Sequence, residues 1–228
     1  MAGGQGSRLK PATHIVPKPL IPIGDTPIIE ILVKQLQKRC FDNIVVTLNY
    51  KPGMIRTVLN RYDLNYYEED EPLGTLGCLP FLDLEDTFLV IHADVLSTIN
   101  YRRVYEYQHF SDSIATIGVV QQKEKIHLGV VDLSEDGDVV DFREKPLYHF
   151  KAFMGVSAYS KRILDFIPKG KAFGLDDMIY SLLDAEERIQ GFLFNGLYFD
   201  VGRPDLYEKA ARRYLKDPAV FGVDNETA

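Results

Sequence analysis

Two cysteines in 228 residues are too few for a disulfide framework. Neither Cys40 nor Cys78 belongs to a C-x-x-C pair or a histidine cluster, which argues against structural zinc. Both are expected to be reduced thiols in the core of a cytosolic, cytoplasmic protein. No apolar run is long enough to span a bilayer, and the glycine-rich, polar start does not read as a signal peptide. Positive charge is in deficit, with 26 Lys and Arg against 33 Asp and Glu, a net −7. That balance excludes a general binder of nucleic acid or of anionic membrane, so any anion must be drawn by a local site. One further shortage is local. Only Met1 and Ala2 precede Gly3, although a phosphate-binding glycine loop ordinarily hangs from the end of a buried strand. An apolar strand upstream is therefore expected, without which two neighbouring strands would carry unpaired backbone groups.

What is present is an ordinary globular composition, 46% hydrophobic and 26% charged, enough for a real core. Residues 1–215 read as one domain, followed by an aperiodic tail over 216–228. Thr26 and Pro27 look like the cap and first position of a helix. Ile28, Leu32 and Leu36 then recur at helical spacing to about Arg39. A β-branched run over 43–48 predicts a strand buried on both faces. A helix over 52–62 and a short strand over 64–68 follow. A turn at 69–77 opens a helix around 76–82, and TFLVI at 87–91 is a further apolar strand. Helices are expected over 100–110, 160–166, 175–185 and 205–215, and strands over 114–120 and 152–159. Two hairpins are expected. One joins 128–133 to 138–143 around Asp136-Gly137. The other joins 189–194 to 197–199 around Asn195-Gly196, the strongest hairpin turn signal in the chain. Strand–helix alternation followed by hairpins predicts an α/β fold: a Rossmann-like mixed, mainly parallel sheet flanked by helices, with a small antiparallel subregion and a truncated first strand.

Chemistry concentrates at the amino terminus, in MAGGQGSRLKPATHIVPKPLIPI. Gly3, Gly4 and Gly6 permit a sharp turn whose successive N–H groups make a concave anion site. Arg8 adds a planar fork and Lys18 a point charge. Together they suit a polyphosphate. Asp94 and Asp200 each end an apolar strand, and a carboxylate just past a buried strand lies where open α/β sheets bind ligands. His92 reads as a packed or hydrogen-bonded side chain, and Tyr101, Tyr105 and Tyr107 as packing.

The run AGGxGxRL, then P-x-T, then PKPLIPI, resembles the signature of the sugar-1-phosphate nucleotidyltransferases, the enzymes that make nucleotide sugars. The PLGT loop, the EKP triplet and FDVGRP extend the resemblance over most of the chain. It implies that Ala2, Gly3, Gly4 and Gly6, with Gly74 and Thr75, bind the nucleotide. It implies catalytic roles for Arg8 and Lys18. Asp94 and Asp200 would bind Mg2+, while Gly129, Glu144, Lys145 and Gly155 would hold the sugar phosphate. His92 and Ala93 depart from the pattern, which more often has Asn-Gly there. The implied partners are a nucleoside triphosphate and a sugar 1-phosphate, with homo-oligomerisation left open. PKPL and PLGT resemble most the mannose-1-phosphate guanylyl and glucose-1-phosphate nucleotidyl branches, which leaves base and sugar open. Two other readings compete. A non-catalytic binding subunit of the same fold would fit the HAD departure. A metal-dependent glycosyltransferase would want a D-x-D where this chain has HADVLS.

Overall fold

The computed structural model describes residues 1–4 and 12–222, so Gly6 and Arg8 lie outside the described residues. After the short α1 (Ala12–Ile15) come β1 (Pro22–Ile23) and β2 (Thr26–Pro27), an antiparallel pair that leads into α2 (Ile28–Gln37). Thr26 is therefore not the helix cap. It is held in that ladder, and Pro27 takes the cap position without a side-chain bond. Next come β3 (Val45–Leu48), α3 (Pro52–Leu59), β4 (Asn65–Glu68), β5 (Thr87–Ile91), β6 (Val95–Ser97) and α4 (Tyr101–His109). Asn100 caps α4 by accepting the Arg102 N–H. The helix expected around 76–82 is a single 3-10 turn, Leu79–Phe81.

A long antiparallel ribbon follows, β7 (Ala115–Lys125) against β10 (Leu147–Ser160), with the hairpin β8 (Gly129–Leu133) and β9 (Val139–Glu144) at its far end. The chain closes with a 3-10 turn (Lys161–Phe166), α5 (Leu175–Asp184), β11 (Ile189–Phe194), β12 (Tyr198–Asp200) and α6 (Pro204–Lys216). The result is a mixed α/β sheet flanked by helices. Its largest part has the order β11-β7-β10-β5, with β11 parallel to β7 and β10 antiparallel to both neighbours. β3 and β4 form a separate parallel pair.

The second expected hairpin does not form. β11 runs parallel to β7, while β12 crosses to pair antiparallel with β6. Thr98 N–H donates to the Leu197 carbonyl, and the Thr98 hydroxyl accepts the Leu197 N–H. The Asn195-Gly196 turn signal is thus overridden by two longer-range ladders.

α2 shows why the core holds together. Its residues are buried almost all round, as expected of a helix enclosed on every side. Ile29 and Val33 pack with Val46, Leu48, Ile55 and Leu59. Leu32 and Leu36 pack with Ile91, Val104 and Val156. Ile28 and Ile31 pack with Leu96, Val201 and Phe221. Each such burial is worth roughly 1.5–3 kcal/mol relative to exposure. The expected aperiodic tail contributes through its 3-10 turn Pro218–Phe221. There the Phe221 carbonyl accepts from Gln35 Nε2 at 2.7 Å. Cys78 is buried as expected, but Cys40 is exposed, because it sits in a left-handed turn after α2 at φ 58°.

Met1 and Ala2 bridge β3 and β5. The Met1 ammonium donates to the Ile91 carbonyl, Ala93 N–H donates to Met1, and Ala2 N–H donates to Thr47. Beyond Met1, a cleft of about 270 Å3 opens between the two strands, lined by Val45, Leu89 and Phe41 among others. Among the described residues no helix is long and apolar enough to cross a membrane.

Candidate active site

Strand pairing brings the two expected metal carboxylates together. Asp94 lies between β5 and β6. In the β6–β12 ladder Asp200 stands opposite Val95, one residue on from Asp94. Val201 N–H then donates to the Asp94 carbonyl at 3.2 Å. The 3-10 turn Lys18–Leu20, started by Pro19 after the extended Pro17, buries Lys18 beneath the same point. Its ammonium is hydrogen-bonded to Asp94 Oδ2 and stands 3.8 Å from Asp200 Oδ1. The lysine side chain is 9% exposed and the carboxylates about a quarter.

The charges are set by this packing. Burial pulls the Asp94 carboxyl up, but Lys18, by charge and hydrogen bond, outweighs it and holds the group below its ordinary value. Burial, helped by the Met1 ammonium and Lys18, lowers His92 in spite of the nearby carboxylates, so the imidazole is neutral near pH 7. The ring packs edge-on against Phe153, and the His92 backbone N–H donates to the Gly155 carbonyl. This is the packed histidine that the sequence suggested. Burial and the two aspartates push the Tyr198 phenol up to about 12.

A cleft of about 330 Å3 joins Lys18 and Asp94 to Ala2, Gly3, Gly4, Gly74, Thr75 and His92, and continues to Thr47, Glu69 and Pro72. Gly74 holds φ +74°, and a β-carbon there would come 2.8 Å from the Phe173 carbonyl oxygen. That close approach makes a two-bond clamp: Leu76 N–H donates to the Phe173 carbonyl, and Phe173 N–H to Leu73. Gly202 is more demanding. A methyl group there would overlap Lys18 Nζ and press on Asp200 Oδ1, and its N–H donates to that same carboxylate at 2.9 Å.

The sugar-phosphate candidates divide. Gly155 lies in the break in β10, against His92 and Val95. Gly129 and Glu144 face each other across the β8–β9 hairpin. Lys145 follows at φ 46°, 3.3 Å from Glu144 Oε1. Glu144 and Lys145 are exposed and do not line the cleft. Glu69 and Gly202 had not been singled out in the sequence. Glu69 stood in the recognised EDEPLGT loop, and Gly202 lies within the FDVGRP run already quoted.

Residues 1–217 match the family model described as nucleotidyl transferase. The chain belongs to that family. Among its relatives, this nucleotidyl transferase is 28% identical over 221 residues to the D-glycero-alpha-D-manno-heptose 1-phosphate guanylyltransferase of Aneurinibacillus thermoaerophilus, spanning 93% of this chain and 95% of that protein. It is also 28% identical to a probable mannose-1-phosphate guanylyltransferase 1 of rice, Oryza sativa subsp. japonica. That match covers 94% of this chain but 63% of the relative's length. In three dimensions it is similar to HddC from Yersinia pseudotuberculosis complexed with GMP-PN, with TM-score 0.72 and 25% identity over 93% of this chain and 96% of that one.

Two carboxylates beside one lysine are a suitable protein share for a hard divalent cation that completes its shell with phosphates and water. No group of three or more His, Cys, Asp or Glu side chains suited to a metal occurs among the described residues. The pair fits a hard divalent cation shared with substrate phosphates.

Proposed function

We propose that this nucleotidyl transferase joins a sugar 1-phosphate to a nucleoside triphosphate, giving a nucleotide sugar and pyrophosphate. The observation that carries the reading is the contact of one buried lysine with both Asp94 and Asp200, where Lys18 and Asp94 line the glycine-bearing cleft. A phosphate oxygen of the sugar 1-phosphate attacks the α-phosphorus, a new P–O bond forms, and the bond to the β-phosphate oxygen breaks. The nucleophile is largely dianionic at neutral pH, since the second pKa of a phosphate monoester is about 6. General-base help is therefore dispensable, in keeping with a neutral, packed His92.

The need is to relieve repulsion between two anions and to align them. Backbone N–H groups of Gly3 and Gly4 cradle the triphosphate. Lys18 neutralises charge at the α-phosphate, and the Arg8 fork holds the departing pyrophosphate. Asp94 and Asp200 would hold Mg2+, which would supply Lewis-acid charge stabilisation to the phosphates. Glu144 and Lys145 take the sugar and its phosphate.

The names of the relatives favour a finer reading, guanylyl transfer from GTP to mannose or heptose 1-phosphate. The test is pyrophosphate release across a panel of triphosphates, hexose 1-phosphates and heptose 1-phosphates with Mg2+. Release that requires both substrates is expected. Nucleotide-sugar binding without release would select the non-catalytic subunit. Sugar transfer without pyrophosphate would select the glycosyltransferase.

A further inference from the structure

The two edges of the main sheet are finished differently. At one edge Met1 sits against β5, its ammonium donating to the Ile91 carbonyl. At the other edge β11 pairs only with β7 among the described residues. The outer side of β11 therefore carries backbone N–H and C=O groups that no described strand takes up. An open edge is usually defended by charge, proline, a bulge or a cover. β11 reads Ile-Gln-Gly-Phe-Leu-Phe, with no charged residue and no proline. Its register with β7 is unbroken over all six residues, so there is no bulge either. Beside this edge, between β11 and α4, runs an open groove. Arg103, Tyr107 and Phe192 line it from the Asp112 and Arg188 end to the Asn195 end. Phe110 borders it 83% exposed, and Leu193 is half exposed. Charges of both signs stand along it, Arg103 and Arg188 with Glu106 and Asp112.

We propose that β11 is a dimer seam, on which a second copy of this chain lays its own β11 antiparallel across a two-fold axis. The edge itself argues for that occupant. An isologous contact must be self-complementary. An antiparallel ladder meets this condition, because each copy gives and receives the same set of backbone bonds. The uncharged strand sets no like charges opposite one another at the axis. The groove holds two cations and two anions. Reversing one copy against the other lets Arg103 and Arg188 meet acids of the partner instead of repelling each other. Leu193, Tyr107 and Phe110 of both copies are covered in the same step, and the two four-stranded sheets become one. No residue of the groove lines the cleft that holds Lys18 and Asp94, so the seam is independent of the proposed reaction.

The experiment is sedimentation velocity of the full chain across the micromolar range. A species of twice the 25.9 kDa chain mass is expected. Leu193→Lys and Phe110→Glu each place a charge on the seam at an exposed position. Tm should hold in both, while the Kd of the dimer rises about a hundredfold or more. Val140→Lys is the control. It lies on the β8–β9 hairpin, which carries another exposed apolar group, Val131, Leu133, Val140 and Phe142, and the dimer should persist in it. Hydrogen exchange of the wild type needs no variant and decides the matter if a substituted chain is too unstable to measure. Exchange within residues 189–194 should slow about tenfold or more as concentration rises, and exchange within 129–133 should not. A wild type that stays monomeric, a folded seam variant that still dimerises as the wild type does, a dimer that Val140→Lys dissolves, or exchange in β11 that ignores concentration overturns the proposal. The readouts are mass and amide protection, so they stand whether or not the chain releases pyrophosphate.

Discussion

Lys18 and Lys145 are the two lysines assigned to phosphates, and they are built differently. Lys18 is 9% exposed and touches two carboxylates carried by strands that hydrogen-bond to one another. Lys145 is 55% exposed, beside Glu144 at 61%, on a two-stranded hairpin beyond the main sheet. The first group is ordered by the fold before any substrate arrives. The second must lose side-chain freedom when a ligand binds, at a cost of about 0.5–1.5 kcal/mol per long side chain. Preorganised charge acts on the chemical step, whereas a corner ordered by its ligand acts on substrate affinity.

That contrast makes the effects of substitution separable. The largest belongs to the buried end. Asp94→Ala and Lys18→Ala should each lower the rate of pyrophosphate release about a hundredfold or more at saturating substrates. Wild-type rates in both variants would remove the assignment of that end to the chemistry. Next is Gly202→Ala, which changes no charge. The added methyl meets the far end of a flexible lysine, so folding should tolerate it, but Lys18 is displaced from the carboxylates. A drop in kcat of roughly tenfold is expected, with Tm altered by less than about 3 °C. A large fall in Tm with normal specific activity would reverse that reading. Lys145→Ala should act on the other end, raising KM for the sugar 1-phosphate about tenfold while leaving triphosphate KM and kcat nearly unchanged. An equal loss in kcat would erase the distinction between the two lysines.

The smallest functional effect is expected from a change that touches neither lysine. Five apolar β-branched residues added upstream of Met1 would lie in the cleft between β3 and β5 and pair with their facing edges. The melting temperature should rise by about 5–10 °C, with KM for both substrates little changed. An unaltered Tm would show that this cleft does not accept a strand.

Much of the buried end was legible in the sequence, because strand ends and turn residues are local signals. The run over 87–91 became β5 residue for residue, and the two aspartates ending apolar segments came together. What sequence could not supply was pairing between distant strands. The Asn195-Gly196 signal is a true turn preference, but β7 and β6 captured its two arms. For the same reason Thr26 lost its cap role to a two-residue ladder with Pro22 and Ile23. Glu69 was passed over because an acid in a Glu- and Asp-rich loop reads as solvated. In the fold it is buried, its carboxylate accepting the Leu73 N–H. The exposed corner was identified as a unit, since EKP is contiguous, and its antiparallel surroundings matched the DG turn.

The backbone clamp between Leu73, Leu76 and Phe173 has an implication for how the molecule comes into being. During synthesis the ribosome releases the glycine loop, Lys18, Glu69 and Asp94 well before Phe173, and Asp200 later still. A nascent chain halted after β10 would carry most of the cleft's chemistry with neither end fastened. Nucleotide could be gripped only after the final third of the polypeptide had been delivered, so nicking within residues 167–174 should abolish ligand retention although every lining side chain remains present.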